Sequence, residues 1–113
     1  MITPAVYNTT AYCGATWDKQ FTASVDGTPV DWTGFTGRMQ VKEHLNSTAV
    51  LTLTTGAGIT VGGTGGTVVV SLSATQTGSV TAGLYRYDLE LTNGTTVYRL
   101  VEGKIVFDGQ VTV

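Results

Sequence analysis

Asn93-Gly94 lies between two runs of alternating apolar and polar residues, Leu84–Leu91 and Thr95–Phe107. This is the strongest short-range signal for a β-hairpin. Asn and Gly tolerate the positive φ angles of the tight turns whose twist matches that of paired strands. A two-residue turn pairs Thr92 with Thr95. It then sets Asp88 opposite Arg99, Leu89 opposite Tyr98 and Tyr87 opposite Leu100. Tyr85, Tyr87, Leu89, Leu91, Tyr98 and Leu100 share one face, which should point inward. Arg86, Asp88, Glu90, Arg99 and Val101 share the other. A slip of one residue would send the whole apolar set to water, which specifies the register. A longer turn that takes in Thr95 would shift the pairing. An exposed Asp88–Arg99 pair contributes only about 0.2–1 kcal/mol. Each large apolar side chain contributes about 1.5–3 kcal/mol when buried, so packing sets the hairpin and the charges decorate it.

The rest of the chain repeats this grammar of short β-prone runs broken by Gly, Asn and Asp. Runs cover Ala5–Tyr12, Trp17–Val25, Phe35–Val41, Ala49–Thr55 with an extension at Ile59–Val61, and Thr67–Leu72. Gly14 separates the first two. Asp26-Gly27 is a turn signal, and Thr28–Gly34, with Pro29, reads as a crossing loop. Phe35, Gly37, Met39 and Val41 alternate with Thr36, Arg38 and Gln40, the period expected when one face meets a core. Val68, Val69, Val70 and Leu72 nearly fill both faces of their run, as in a central strand. Lys42–Thr48 has no period and reads as a loop, and Gly62–Gly66 as a flexible connector. Ser73 or Thr75 could cap one helical turn within Ser73–Val80. Strands at this spacing, without alternating helices, predict an all-β antiparallel sandwich or small barrel.

Composition narrows what such a sandwich does. The 113 residues suit one domain over 1–113, since domains commonly run to roughly 100–150 residues. Charged residues are 12%, about half of the ~25% usual in soluble domains. The apolar fraction is too high and the net charge of −2 too small for a disordered chain. No apolar stretch approaches the roughly 20 residues of a membrane helix. The opening MITPAVYNTTAYC lacks the basic and apolar regions of a signal peptide. One cysteine cannot make an internal disulfide. A pI near 5.0 argues against nucleic acid as the main partner.

The search for chemistry finds little. His44 is the single histidine and Cys13 the single cysteine, so neither metal spacing nor a nucleophile–base pair is written in the sequence. The polar Lys42-Glu43-His44 run makes His44 a solvated loop residue, and Cys13 reads as a small half-buried hydrophobe. Asp88 and Glu90 share a face with Arg86 and Arg99, which suits a solvated or partner-facing surface better than an acid/base pair. Asp26 and Asp31 suit turn chemistry. Gly62–Gly66 is followed by neither Lys-Ser/Thr nor a helix, so it is no phosphate loop. Trp17, Trp32 and Tyr98 serve as core or interface anchors, with a sugar-stacking platform as the alternative. The expectation is a non-enzymatic protein with no catalytic residue, cofactor or metal.

Several segments carry a resemblance. Tyr12-Cys13-Gly14-Ala15-Thr16-Trp17 resembles the opening of small virion proteins of tailed bacteriophages and prophages. The segment Asp26-Gly27-Thr28-Pro29-Val30-Asp31-Trp32-Thr33-Gly34-Phe35-Thr36, followed by Arg38-Met39-Gln40-Val41-Lys42, is similar to theirs. So are the turn Ser71-Leu72-Ser73-Ala74-Thr75-Gln76-Thr77 and the closing hairpin, Gly83–Leu91 with Tyr98–Gly103. The chain departs from that pattern at Cys13, where a polar residue is expected, and at Trp32, where Leu is expected. Nearly the whole chain is similar to the immunoglobulin-like amino-terminal module of phage baseplate upper proteins. The resemblance implies one immunoglobulin-like antiparallel sandwich of about seven to eight strands. It implies a virion structural protein, assembled in a bacterial cytoplasm, that acts as an assembly or adaptor module of the tail, baseplate or fibre attachment. Its partners would be other phage structural proteins and copies of itself, with no nucleic acid or membrane. A capsid decoration protein and a carbohydrate-binding module are the alternatives.

Overall fold

The computed structural model describes residues 4–109. The strands follow the alternation in the sequence. The first third gives β1 (Ala5–Val6), β2 (Thr9–Tyr12), β3 (Trp17–Thr22) and a small hairpin of β4 (Ser24–Val25) and β5 (Thr28–Pro29). The middle gives β6 (Thr36–Lys42), β7 (Leu51–Thr55), β8 (Gly58–Val61) and β9 (Thr67–Leu72), and the end gives β10 (Gly83–Thr92) and β11 (Val97–Asp108). One short helix, α1 (Ala74–Gly78), links β9 to β10.

The main sheet runs β1-β11-β10-β6-β7-β8-β9-β3, with β2 also on β11. It curls so that two leaves face each other over one apolar cluster, β11-β10-β6-β7 on one side and β8-β9-β3 on the other. Gly37 of β6 marks how close they come, because a Cβ there would sit 2.9 Å from a methyl of Ile59 on β8. Met39, Val41, Leu53, Ile59, Val68, Val70, Leu72, Leu89 and Ile105 fill the space between. The fold is therefore the all-β, immunoglobulin-like sandwich, with eight strands of four or more residues among those described. Most pairings are antiparallel. β1 and β2 instead lie parallel to β11, and β7 lies parallel to β8. Alternation marks a strand but not the direction of its partner, so these parallel contacts carry no local signal.

The hairpin of β10 and β11 differs from the simplest reading of Asn93-Gly94. Thr92 pairs with Val97, so the loop takes four residues, Asn93 to Thr96. Asn93 explains the longer turn: its side-chain oxygen accepts from the Thr95 and Thr96 N–H groups at 3.0 and 2.8 Å, while Gly94 takes φ +95°. Leu91 consequently opposes Tyr98, and Glu90 opposes Arg99. A bulge follows, in which Leu89 opposes Val101 and Leu100 is the extra residue. Bulges place two residues of one strand against one of the other. Here Leu100 and Val101 are both buried, at 7% and 2% exposed. Val101 thus belongs to the core and not, as alternation implies, to the outer face. Tyr85, Tyr87, Leu89 and Leu91 point inward as expected.

Two tyrosines lock this hairpin to the rest of the chain. The Tyr85 hydroxyl donates to the Thr81 carbonyl at 2.6 Å, the tyrosine corner of immunoglobulin-like sandwiches. The Tyr87 hydroxyl donates to the Tyr7 carbonyl, eighty positions away. That carbonyl lies against Gly103, where a Cβ would collide with it. A glycine in β11 is therefore what lets the segment between β1 and β2 approach. Burial pushes the Tyr87 phenol above its ordinary range, with Tyr7 adding to the shift.

The segments that carry the resemblance occupy folding positions. Ser73 caps α1 through a reciprocal capping box with Gln76. Thr77, fully buried, accepts from the Gly14 N–H at 3.1 Å and donates to the Ala15 carbonyl at 2.8 Å. The helix is thereby tied to the β2–β3 turn. Asp26 and Gly27, at φ +53° and +81°, make the β4–β5 turn. Trp32 donates its backbone N–H to the Gly63 carbonyl and its indole N–H to the Gly66 carbonyl, at 2.8 and 3.1 Å. The Gly62–Gly66 segment, expected as a free connector, is a 3-10 turn held by these bonds.

Candidate functional site

The residues singled out for chemistry do not converge. Cys13 is half-buried, its thiol 3.6 Å from the Val80 carbonyl. His44 is exposed in the β6–β7 loop, where Ser47 binds its backbone and Glu43 lies 4.0 Å from its ring. Among the described residues no hydrogen bond joins Cys13 to His44, and no three His, Cys, Asp or Glu side chains gather at metal-binding distance. Asp31 accepts from the Thr33 N–H at 2.9 Å. The Thr33 hydroxyl and N–H hold its carboxyl below the usual carboxylate value. This is turn chemistry, as for Asp26.

Of the three aromatics, Trp32 is 1% exposed and presents no ring face to a sugar. It packs edge-on against Phe35 and Tyr98, which stack on each other with centroids 6.1 Å apart. Trp17 is half-buried, faces inward opposite Leu72, and donates to the Thr9 hydroxyl at 3.3 Å. These rings anchor one end of the sandwich and the seam between β2 and β3.

What does converge is charge, on the outer face of β6, β10 and β11. Strand alternation places Arg86, Asp88 and Glu90 of β10 outward. The register then arranges them in rows. Arg86 has Lys42 on one side and Lys104 on the other. Asp88 lies between Gln40 and Glu102, and Glu90 between Arg38 and Arg99. Five of the six basic residues of the chain thus share one face with three acids. Arg99 reaches both members of the acidic row, 3.8 Å from Asp88 and 3.5 Å from Glu102. The Asp88–Arg99 pair expected from the sequence therefore forms, but diagonally, because the longer turn shifts the register.

A groove of about 360 Å³ crosses this face. Its floor holds the basic row with Asp88, Arg99 and Glu102 of the next rows, and its walls include Val6 of β1 and Leu45 of the β6–β7 loop. These two aliphatic side chains are 71% and 76% exposed. The sequence showed the shared face of β10 but not the groove, because Val6, Leu45 and the basic row meet only through β1 pairing and the path of an aperiodic loop.

The sequence matches no protein-family model and none of the curated proteins with which it was compared. Among solved structures it aligns with a family 123 glycoside hydrolase from Clostridium perfringens, described for glycolipid glycan hydrolysis, at 9% identity and a TM-score of 0.43. The alignment covers 96% of this chain and 24% of that one, so the chain spans about a quarter of the hydrolase's length.

Proposed function

We propose that the protein is a non-enzymatic structural module of a tailed-bacteriophage particle, acting in assembly or as an adaptor at the tail, baseplate or fibre attachment. The observation that carries this reading is the outer face of β6, β10 and β11. Eight of the fourteen charged residues crowd onto one sheet surface bordered by exposed aliphatic side chains, while the rest of the chain is thinly charged. Such a surface suits contact with protein. The virion assignment draws on the motif resemblance across nearly the whole chain. The mechanism is surface burial repeated across a symmetric assembly, where many modest contacts add up.

Quantitative mass spectrometry of purified particles tests the reading. A few to a dozen or so copies per particle is the expected result. Hundreds of copies would make it a head decoration protein, and absence from particles would remove the virion reading altogether. Glycan-array binding that is lost on substituting Tyr98 would favour a carbohydrate-binding module instead.

A further inference from the structure

We propose that the groove across the outer face of β6, β10 and β11 binds an extended acidic segment of another polypeptide. The proposal deepens the assembly reading, on which the identity of that polypeptide as a virion protein rests. The chemistry of the groove does not rest on it.

The argument starts from the basic row. Lys42, Arg86 and Lys104 are direct cross-strand neighbours. Like charges set opposite each other on a sheet repel. Among the described residues, none of the three has a carboxylate within 4 Å. The acids one row away are already engaged, because Arg99 reaches both Asp88 and Glu102. Five basic residues stand against the three acids of these strands and Glu43, which borders Arg86 and Lys104 from the β6–β7 loop, and still leave a surplus of one positive charge on a chain whose net charge is −2. Positive charge is thus concentrated here against the balance of the molecule, and the basic row forms no ion pair within 4 Å among the described residues. An anionic partner completes it.

The walls say what kind of anion. Val6 and Leu45 border the charged floor with aliphatic surface in water. A free inorganic anion gains nothing from them, whereas a peptide carrying aliphatic and acidic residues covers both. Three adjacent strands set the row about 10 Å long. Successive same-side residues of an extended chain lie about 7 Å apart, so a segment crossing the strands lays two carboxylates along the row. The groove, at about 360 Å³, takes a few residues and not a folded domain.

The test is an NMR titration of the isotope-labelled full chain with three probes: an oligoglutamate peptide, an oligolysine peptide and single-stranded oligodeoxythymidine. Oligoglutamate is expected to give saturable shifts at the amides of Lys42, Arg86 and Lys104, weakening as salt is raised. The double variant Arg86→Gln/Lys104→Gln should bind about tenfold more weakly or worse, while Lys19→Gln, at a residue that does not line the groove, should bind as the parent does. The double variant should melt no lower than the parent, because it relieves repulsion. If it fails to fold, the map of shifts on the parent and their salt dependence still decide. The proposal is overturned by the lack of saturable shifts, by shifts spread over the whole molecule, or by tighter binding of the oligonucleotide. Concentration-dependent shifts at the same residues without any probe would make a second copy the occupant, and would overturn it too. Counting copies in particles tests the assembly reading separately, so either result can fail alone.

Discussion

The two leaves of this sandwich share a core and differ in almost everything outside it. The leaf of β6, β10 and β11 carries rows of charge on its outer face, a bulge, and a long-range hydroxyl bond from Tyr87 to Tyr7. The leaf of β3, β8 and β9 presents Gln20, Thr22, Thr60, Thr67, Val69 and Ser71 outward, with Asp18 as its charge. Inside, both obey the same rule: alternate residues of β9 and β10 are buried almost without exception. Stability is therefore shared between the leaves, while most of the charge lies on one. A surface needed only for solubility would distribute its charges over both leaves.

The comparison breaks first in the core. Leu89→Ala, at a fully buried position of β10, should cost about 3 kcal/mol, as large-to-small changes in packed cores do. Val70→Ala, its fully buried counterpart on β9, should cost about 2 kcal/mol for its smaller volume. Urea denaturation followed by fluorescence and by circular dichroism should give coincident transitions for both. If one leaf unfolds before the other, the single shared core is wrong.

Next is the glycine that admits the β1–β2 segment. Gly103→Ala drives a methyl into the Tyr7 carbonyl, and should cost about 2–3 kcal/mol by overpacking. Gly65→Ala on the opposite side, with nothing within 4 Å of the new atom, should stay within about 0.5 kcal/mol of the parent. Equal effects would mean that the close approach at Gly103 does not constrain the fold.

Tyr87→Phe removes the hydroxyl bond to Tyr7 and leaves a carbonyl without its donor, a loss of about 1–1.5 kcal/mol near neutral pH. Burial raises the Tyr87 phenol in the folded chain, whereas the unfolded chain titrates near the ordinary value of about 10. A raised folded value adds stability that is complete below about pH 10 and lost as pH climbs beyond it. Denaturation midpoints should therefore show the gap between parent and variant narrowing above about pH 10. A gap that widens there would contradict the buried, neutral phenol.

Smaller effects sharpen the contrast between local and surface terms. Ser73→Ala deletes the capping box of α1 and should cost about 1 kcal/mol. Arg99→Gln removes contacts to Asp88 and Glu102 in which all three side chains are 41–51% exposed. Solvent screening should hold its effect below about 0.5 kcal/mol, fading further with added salt. A cost above that of Ser73→Ala would mark the charged face as a stabilising network.

Most of the strands were legible because each is a short, local pattern. The alternation of Gly37, Met39 and Val41 and the Leu51 and Leu53 pair state which face is buried, and the structure agrees; the apolar run of β9, read as filling both faces, buries Val68, Val70 and Leu72 and leaves Val69 half-buried on the outer one. The Ser73 cap and the Asp26-Gly27 turn were legible for the same reason. Val101 was not, because an added residue at Leu100 reverses the alternation that a regular ladder would keep. Gly62–Gly66 read as a free connector because no neighbouring residue reveals that Trp32, some thirty positions earlier, holds two of its carbonyls. The candidate site was half visible. Its charged β10 face follows from period two, but its basic row needs the positions of Lys42 and Lys104, and its walls need Val6 and Leu45.

By itself, then, the order of residues determined an all-β chain, the inward set of most regular strands, the places of the Asn93-Gly94 and Asp26-Gly27 turns, and the capped helical turn. These depend on groups within a few positions of one another, whose geometry the backbone restricts. Only the tertiary structure decided that β1 and β2 lie parallel to β11, that Gly103 stays bare so Tyr7 can reach Tyr87, and that three cations line up under two aliphatic walls. Those arrangements join residues dozens of positions apart, and such contacts are selected by how the whole core packs, which no local pattern records.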